Sequence, residues 1–138
     1  MGLIVLDAGV LIGVLDGSDV HHLPSTDALQ LAEASGDHLA LPTSALAEIL
    51  VGPARRGPEA IAIVDALLTT LAIDLVAIDQ AIARQAALLR AETQLRLPDA
   101  LVVASAIVLR ADRLLSTDGR WPRAVGDLFR GSIEIVGP

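Results

Sequence analysis

Four acidic residues, Asp7, Glu48, Asp99 and Asp118, each stand near the beginning or end of an expected element. Asp7 closes a short apolar run, Leu3-Ile4-Val5-Leu6, which reads as a buried parallel strand. In open α/β sheets the carboxyl edge of the strands is where ligands bind. A carboxylate there can face a cleft while its strand stays in the core. Asp118 follows closely on another expected strand, Arg113-Leu114-Leu115-Ser116. Glu48 lies one turn into a helix, with Ser44 four residues before it on the same face. Asp99 sits in the first turn of the most apolar helix of the chain. Carboxylates gathered at one edge repel one another, and they either take up protons or hold a cation. The set contains no Cys and no His, so its donors are hard oxygens, which suit Mg²⁺ or Mn²⁺ over zinc. The chemistry best served by such a site is hydrolysis of a phosphodiester. A metal there acidifies a water and neutralises charge in the transition state.

Each acid also has a plainer reading. Glu48 suits an exposed helix position, Asp99 complements the dipole of its helix, and Asp118-Gly119 is a common turn pair. Asp79 is best read as a helix N-cap and not as a catalytic group. His21 and His22 follow Asp19, but adjacent residues do not share a helix face, so a structural role is expected for both.

The elements that must position the acids alternate between strand and helix. The pattern predicts a strand ending at Leu6, a helix over Ala8–Leu15, a turn at Asp16–Asp19, and a helix over Pro24–Ala34 capped near Ser25 or Thr26. A short strand over His38–Leu41 follows. Thr43 is the expected N-cap of the helix bearing Glu48, and Gly52-Pro53 is its expected end. Further helices are expected over Glu59–Leu71, from Asp79 to Thr93, and over Ala100–Leu109 with Leu97-Pro98-Asp99 opening it. Strands are expected over Asp74–Ile78, Arg113–Ser116 and Ser132–Val136, and residues 119–131 read as irregular. Such alternation implies a parallel sheet with helices on both faces.

The chain has 138 residues, which fits one domain over 1–138. Hydrophobic residues make up 53% and aromatics only 1%, so the core must be aliphatic. Trp121 and Phe129 are its only large rings. The absence of cysteine excludes disulfides, thiolate metal sites and cysteine nucleophiles, and agrees with a cytoplasmic setting. Met1 runs straight into a strand pattern, so no signal peptide is expected. The net charge of −7 does not attract nucleic acid by itself. A bridging cation answers that difficulty. All ten basic residues are Arg, which excludes lysine-based phosphate loops, Schiff-base catalysis and a receiver-type phospho-acceptor site.

Taken together, LIVLDAGVLI at the start, SALAEIL around Glu48, LPDALVVASAIVL around Asp99 and LLSTDGRW around Asp118 resemble the PIN-domain ribonucleases. The likeness is strongest to the toxins of VapC-type toxin–antitoxin pairs, and it covers nearly the whole chain. It implies a PIN-like three-layer α/β/α fold with strand order 3-2-1-4-5. It also implies a Mg²⁺- or Mn²⁺-dependent endoribonuclease acting on RNA, a homodimer, and a small VapB-type antitoxin bound across the active-site groove. Asp7, Glu48, Asp99 and Asp118 match the acidic quartet, and Ser116 and Ser44 match supporting hydroxyls. One position departs from the pattern. Gly9 stands where the family usually has a hydroxyl residue, and loss of a hydrogen bond to a charged group costs about 1.5–3 kcal/mol.

Arg96, Arg120 and Arg123 lie near Asp99 and Asp118 in sequence and are the candidates for RNA contacts, with solvated surface as the plainer reading. The competing function is a non-catalytic PIN-like module that binds RNA or a partner, which Gly9 favours and the intact quartet opposes. A haloacid-dehalogenase-type phosphatase would need a second Asp at the position of Gly9.

Overall fold

The computed structural model describes all residues, Met1–Pro138. Its centre is β1 (Leu3–Leu6), in which Ile4, Val5 and Leu6 are fully buried. A strand sealed on both sides needs cover on both faces, which is why it reads as a continuous apolar run and not an alternating one. On one side β1 pairs in parallel with β2 (His38–Pro42), and on the other with β4 (Arg113–Ser116). Beyond these lie β3 (Asp74–Val76) and β5 (Ser132–Ile135), both again parallel. The order is β3-β2-β1-β4-β5, as expected.

The register settles what meets at the carboxyl edge. Leu6 pairs with Leu115, and the Asp7 amide donates to the Leu115 carbonyl at 2.9 Å. Asp7 and Ser116 therefore leave the sheet side by side. The opposite edge uses its acids differently. Asp37 and Asp112 accept the backbone amides of Gly2 and Leu3, each at 2.8 Å, and Arg113 ties Asp37 to its own strand at 2.7 Å. Those carboxylates anchor the start of β1.

The helices are α1 (Ala8–Leu15), α2 (His22–Ala34), α3 (Thr43–Arg56), α4 (Pro58–Thr70), α5 (Gln80–Thr93), α6 (Leu97–Val108) and α7 (Arg123–Leu128). As expected, α6 is mostly sealed, with Ala100 and Val102 to Ala106 buried. Asp79 caps α5 by accepting from the Ile82 amide at 2.9 Å. The sealed core is aliphatic and alanine-rich, with Phe129 its one aromatic ring.

Several boundaries differ from the expectation, each for a local reason. α2 begins two residues earlier, at His22, because Pro24 falls in the first turn, where an amide has no helical acceptor in any case. Ser25 and Thr26 consequently do not cap it, and their buried hydroxyls have no partner. Thr43 is the first residue of α3, and Pro42 holds the cap position. α3 does not stop at Gly52-Pro53. Ile49 and Pro53 are both buried one turn apart, and their packing carries the helix to Arg56. Gly57, at φ 118°, then ends it with its amide on the Pro53 carbonyl at 3.0 Å. Within the stretch read as irregular, α7 forms over six residues, pinned by buried Val125 and followed by buried Phe129. β3 ends two residues short of Ile78, and β5 one short of Val136. No helix is long and apolar enough to cross a membrane.

Candidate active site

Asp7 is the N-cap of α1 and is 8% exposed. Its Oδ1 accepts the Ala8 amide at 2.8 Å and its Oδ2 accepts the Ser116 hydroxyl at 2.8 Å. Ser116 Oγ in turn accepts the Asp118 amide at 3.1 Å, so the ends of β1 and β4 are stitched through one hydroxyl. Two sequence motifs 109 residues apart become a single unit in this way. The N-terminal end of α1 also faces Asp7, and its amide dipoles favour negative charge there.

Burial pushes the Asp7 carboxyl above its ordinary range. Hydrogen bonds from Ser116 and Ala8 oppose the rise, and the charge of Asp118 adds to it. Asp99 is also raised, first by burial and then by the charge of Asp7, against the pull of Arg96. Glu48 stands more exposed, yet it too is raised by partial burial and by the charges of Asp7 and Asp99. Asp7, Glu48 and Asp99, on three different helices, therefore lie near enough to sense one another's charge. Asp118 belongs to the same field but is pulled down, mainly because the Arg120 side chain and backbone donate to it.

Two arginines partly answer this negative field. Arg96 Nε lies 3.8 Å from Asp99, and Arg120 Nε 3.1 Å from Asp118. The arginine side chains are 78% and 86% exposed, so these are rim pairs weakened by solvent screening. Neither reaches Asp7 or Glu48, which have no basic partner within ion-pair distance. As the side chains stand, no three acidic or histidine groups are drawn close enough to hold one ion. The chemistry of the donors nevertheless fits a hard divalent cation. The donors are all oxygens, and the most buried of these carboxylates, Asp7, has no counter-charge. Ser44 Oγ, one turn before Glu48, is buried with no hydrogen-bond partner and is a spare polar group on the same helix face. Asp7, Glu48, Asp99 and Asp118 are the residues that would hold such an ion.

The remaining sequence candidates separate clearly. Ser116 supports Asp7 directly. Arg96 and Arg120 flank the acids, whereas Arg123 opens α7, exposed and outside every ion pair. His21 pairs with Asp19 at 3.1 Å and His22 meets the Gly13 carbonyl at 2.9 Å, so both serve the α1–α2 connection. Sequence reasoning passed over Thr117. Its position between Ser116 and Asp118 was the only signal.

The raised Asp7 carboxyl has a consequence for stability. A carboxyl whose folded pKa exceeds its unfolded value binds more protons in the folded state, so stability falls as pH rises through that window and stays reduced above it. Asp7→Asn removes the charge at nearly the same shape. It should raise the melting temperature of the metal-free protein near neutral pH, and by much less at about pH 4, where the unfolded carboxyl is itself about half protonated. Melting curves at the two pH values check this. A variant less stable than wild type at neutral pH would contradict it.

No curated protein matches the sequence. Among solved structures, the fold is similar to a toxin–antitoxin complex from Klebsiella pneumoniae, at 24% identity and TM-score 0.73, covering 95% of this chain and 96% of that one. It is similar to VapBC2 from Rickettsia felis bound to a DNA fragment from its promoter, at 15% identity and TM-score 0.74, covering 96% and 98%. It is also similar to VapC20 from Mycobacterium tuberculosis, a Sarcin-Ricin loop cleaving toxin, at 18% identity and TM-score 0.66, covering 85% and 91%. At these identities the likeness is one of fold. The PIN domain family model, by contrast, matches the sequence itself over residues 4–126, and the chain belongs to the PIN-domain family.

Proposed function

We propose that this chain is a Mg²⁺- or Mn²⁺-dependent endoribonuclease cleaving single-stranded RNA, and the toxin of a toxin–antitoxin pair. One observation carries the reading. Asp7, a nearly buried carboxylate with no basic partner, lies at the carboxyl edge of the central strand and shares its field with Glu48, Asp99 and Asp118. A protein keeps such a group at a cost unless a cation completes it.

The chain's own residues have distinct tasks in this reading. Asp7 is held rigid by Ser116 and Ala8 and gives the site a fixed reference carboxylate. Asp99 is held only by exposed Arg96 and can turn toward a divalent ion at small cost, while Asp118 is held by the Arg120 side chain and backbone amide. Once the two acids hold the ion, Arg96 and Arg120 are free at the rim to meet RNA phosphates, together with exposed Arg123. Glu48 is the most exposed acid of the cleft, and its raised pKa suits it to accept a proton from a water attacking phosphorus. A bound Mg²⁺ or Mn²⁺ supplies positive charge against the phosphate and acidifies that water. Attack by water with cleavage of the P–O3′ bond leaves a 5′-phosphate and a 3′-hydroxyl. The alternative, a non-catalytic binding module, is favoured by the acids not being closed around a single point as they stand.

The toxin role draws on toxin–antitoxin proteins of the same fold. Its expected partners are a small VapB-type antitoxin and a second copy of the chain. Val20, Leu23 and Leu31, each more than 65% exposed in or beside α2, are apolar surface suited to a protein partner.

Purified full-length protein, freed of any partner, should cut a mixed RNA pool in Mn²⁺ or Mg²⁺ and leave 5′-phosphate ends. Asp99→Asn should slow this by at least about tenfold with little change in folding. Cleavage that survives EDTA, or cyclic-phosphate ends, would overturn the metal mechanism. Metal binding without cleavage would favour the binding module. Expressed alone, the protein should arrest growth, and co-expression of the antitoxin should relieve the arrest. Normal growth at high levels of soluble protein would contradict the toxin role.

A further inference from the structure

Gly9 lies in the first turn of α1, two residues after Asp7. Glycine weakens a helix, and it is usually retained where φ must be positive or where backbone is approached closely. Gly9 has no positive φ; among the glycines only Gly36 and Gly57 do. Its reason is a neighbour. A Cβ at position 9 would overlap the Thr117 hydroxyl oxygen, and would lie 3.3 Å from Thr117 Cβ and 3.6 Å from Thr117 Cγ2. Thr117 fills the space that a side chain at position 9 would occupy.

Thr117 is placed there by its neighbours in the chain. Ser116 is locked by Asp7 and by the Asp118 amide, so the backbone on either side of Thr117 is fixed. The Thr117 hydroxyl takes no part in that network, and the residue is half-buried beside the first turn that follows Asp7. A hydroxyl delivered from β4 thus occupies the place next to Asp7 that α1 leaves open.

Building on the metal reading above, we propose that Thr117 is a positioning residue of the acidic site. Its hydroxyl, lodged in the space left by Gly9, hydrogen-bonds the oxygen ligands of the divalent cation that Asp7 and Asp118 hold. Gly9 is then not a weakened position. It leaves the room that the Thr117 hydroxyl fills. Restoring a serine at position 9 while Thr117 remains should do harm.

The test is Mn²⁺ binding by titration calorimetry on the full chain, paired with metal-free melting curves. Thr117→Ser keeps the hydroxyl and should bind Mn²⁺ like wild type. Thr117→Val keeps the shape without the hydroxyl, and should bind at least about tenfold more weakly while melting close to wild type. Should Thr117→Val fail to fold, Thr117→Ala takes its place. Gly9→Ser alone should lower the melting temperature. Gly9→Ser combined with Thr117→Ala should recover both the melting temperature and most of the Mn²⁺ affinity, which no purely structural role for Thr117 requires. Wild-type affinity in Thr117→Val, or a Gly9→Ser protein as stable as wild type, overturns the inference and leaves the metal reading intact. A wild-type protein that takes up no Mn²⁺ overturns the metal reading, and the role of Thr117 with it.

Discussion

Asp7 ends a strand that is sealed on both faces, and its carboxylate is itself nearly sealed. Two hydrogen bonds hold it, and no positive side chain offsets it. Much of the surrounding architecture follows from keeping that group in place. The β1–β4 register puts Ser116 beside it, and the start of α1 turns its amides toward it. Partial burial raises Glu48 and Asp99 as well, and repulsion from Asp7 adds to the rise in both. A site of this kind is unfavourable when empty. It becomes favourable when a small, highly charged cation replaces mutual repulsion with attraction.

The same logic explains how an acidic protein can act on a polyanion. A net charge of −7 opposes RNA at long range. At short range the cleft presents exposed arginines around a potential cation, and Arg96 and Arg120 are poised on the acids themselves. They act as provisional counter-charges, weak enough to be released. Asp7, the most buried of the four acids, has no arginine, while Asp99 and Asp118, nearer the surface, each have one. A protein that paired Asp7 firmly with a buried arginine would be more comfortable without metal and worse at binding it.

Much of this was legible in the chain. An unbroken apolar run marked β1, because buried parallel strands have no polar face to alternate with. The spacing of Ile82, Ala86 and Leu89 marked α5, and the quartet of acids stood out by its order along the chain. Other features depend on neighbours that sequence distance hides. Pro53 is an ordinary helix breaker until its burial beside Ile49 is known, and Val125 and Phe129 stabilise α7 through tertiary contact and not through local preference. The clearest case is Gly9. In the sequence it is a missing hydroxyl; in space it is the room made for Thr117, 108 positions away. That the two positions touch follows from the β1–β4 register, which no local pattern reports.

The central claim is that the four acids form one cation site completed by a divalent ion. Its most direct test is the melting temperature of wild type and of Asp99→Asn with and without millimolar Mn²⁺. A ligand that binds only the folded state raises its stability by mass action. The account therefore expects a clear rise for wild type and a much smaller one for the variant. Equal shifts in the two proteins would place the ion elsewhere and contradict the account.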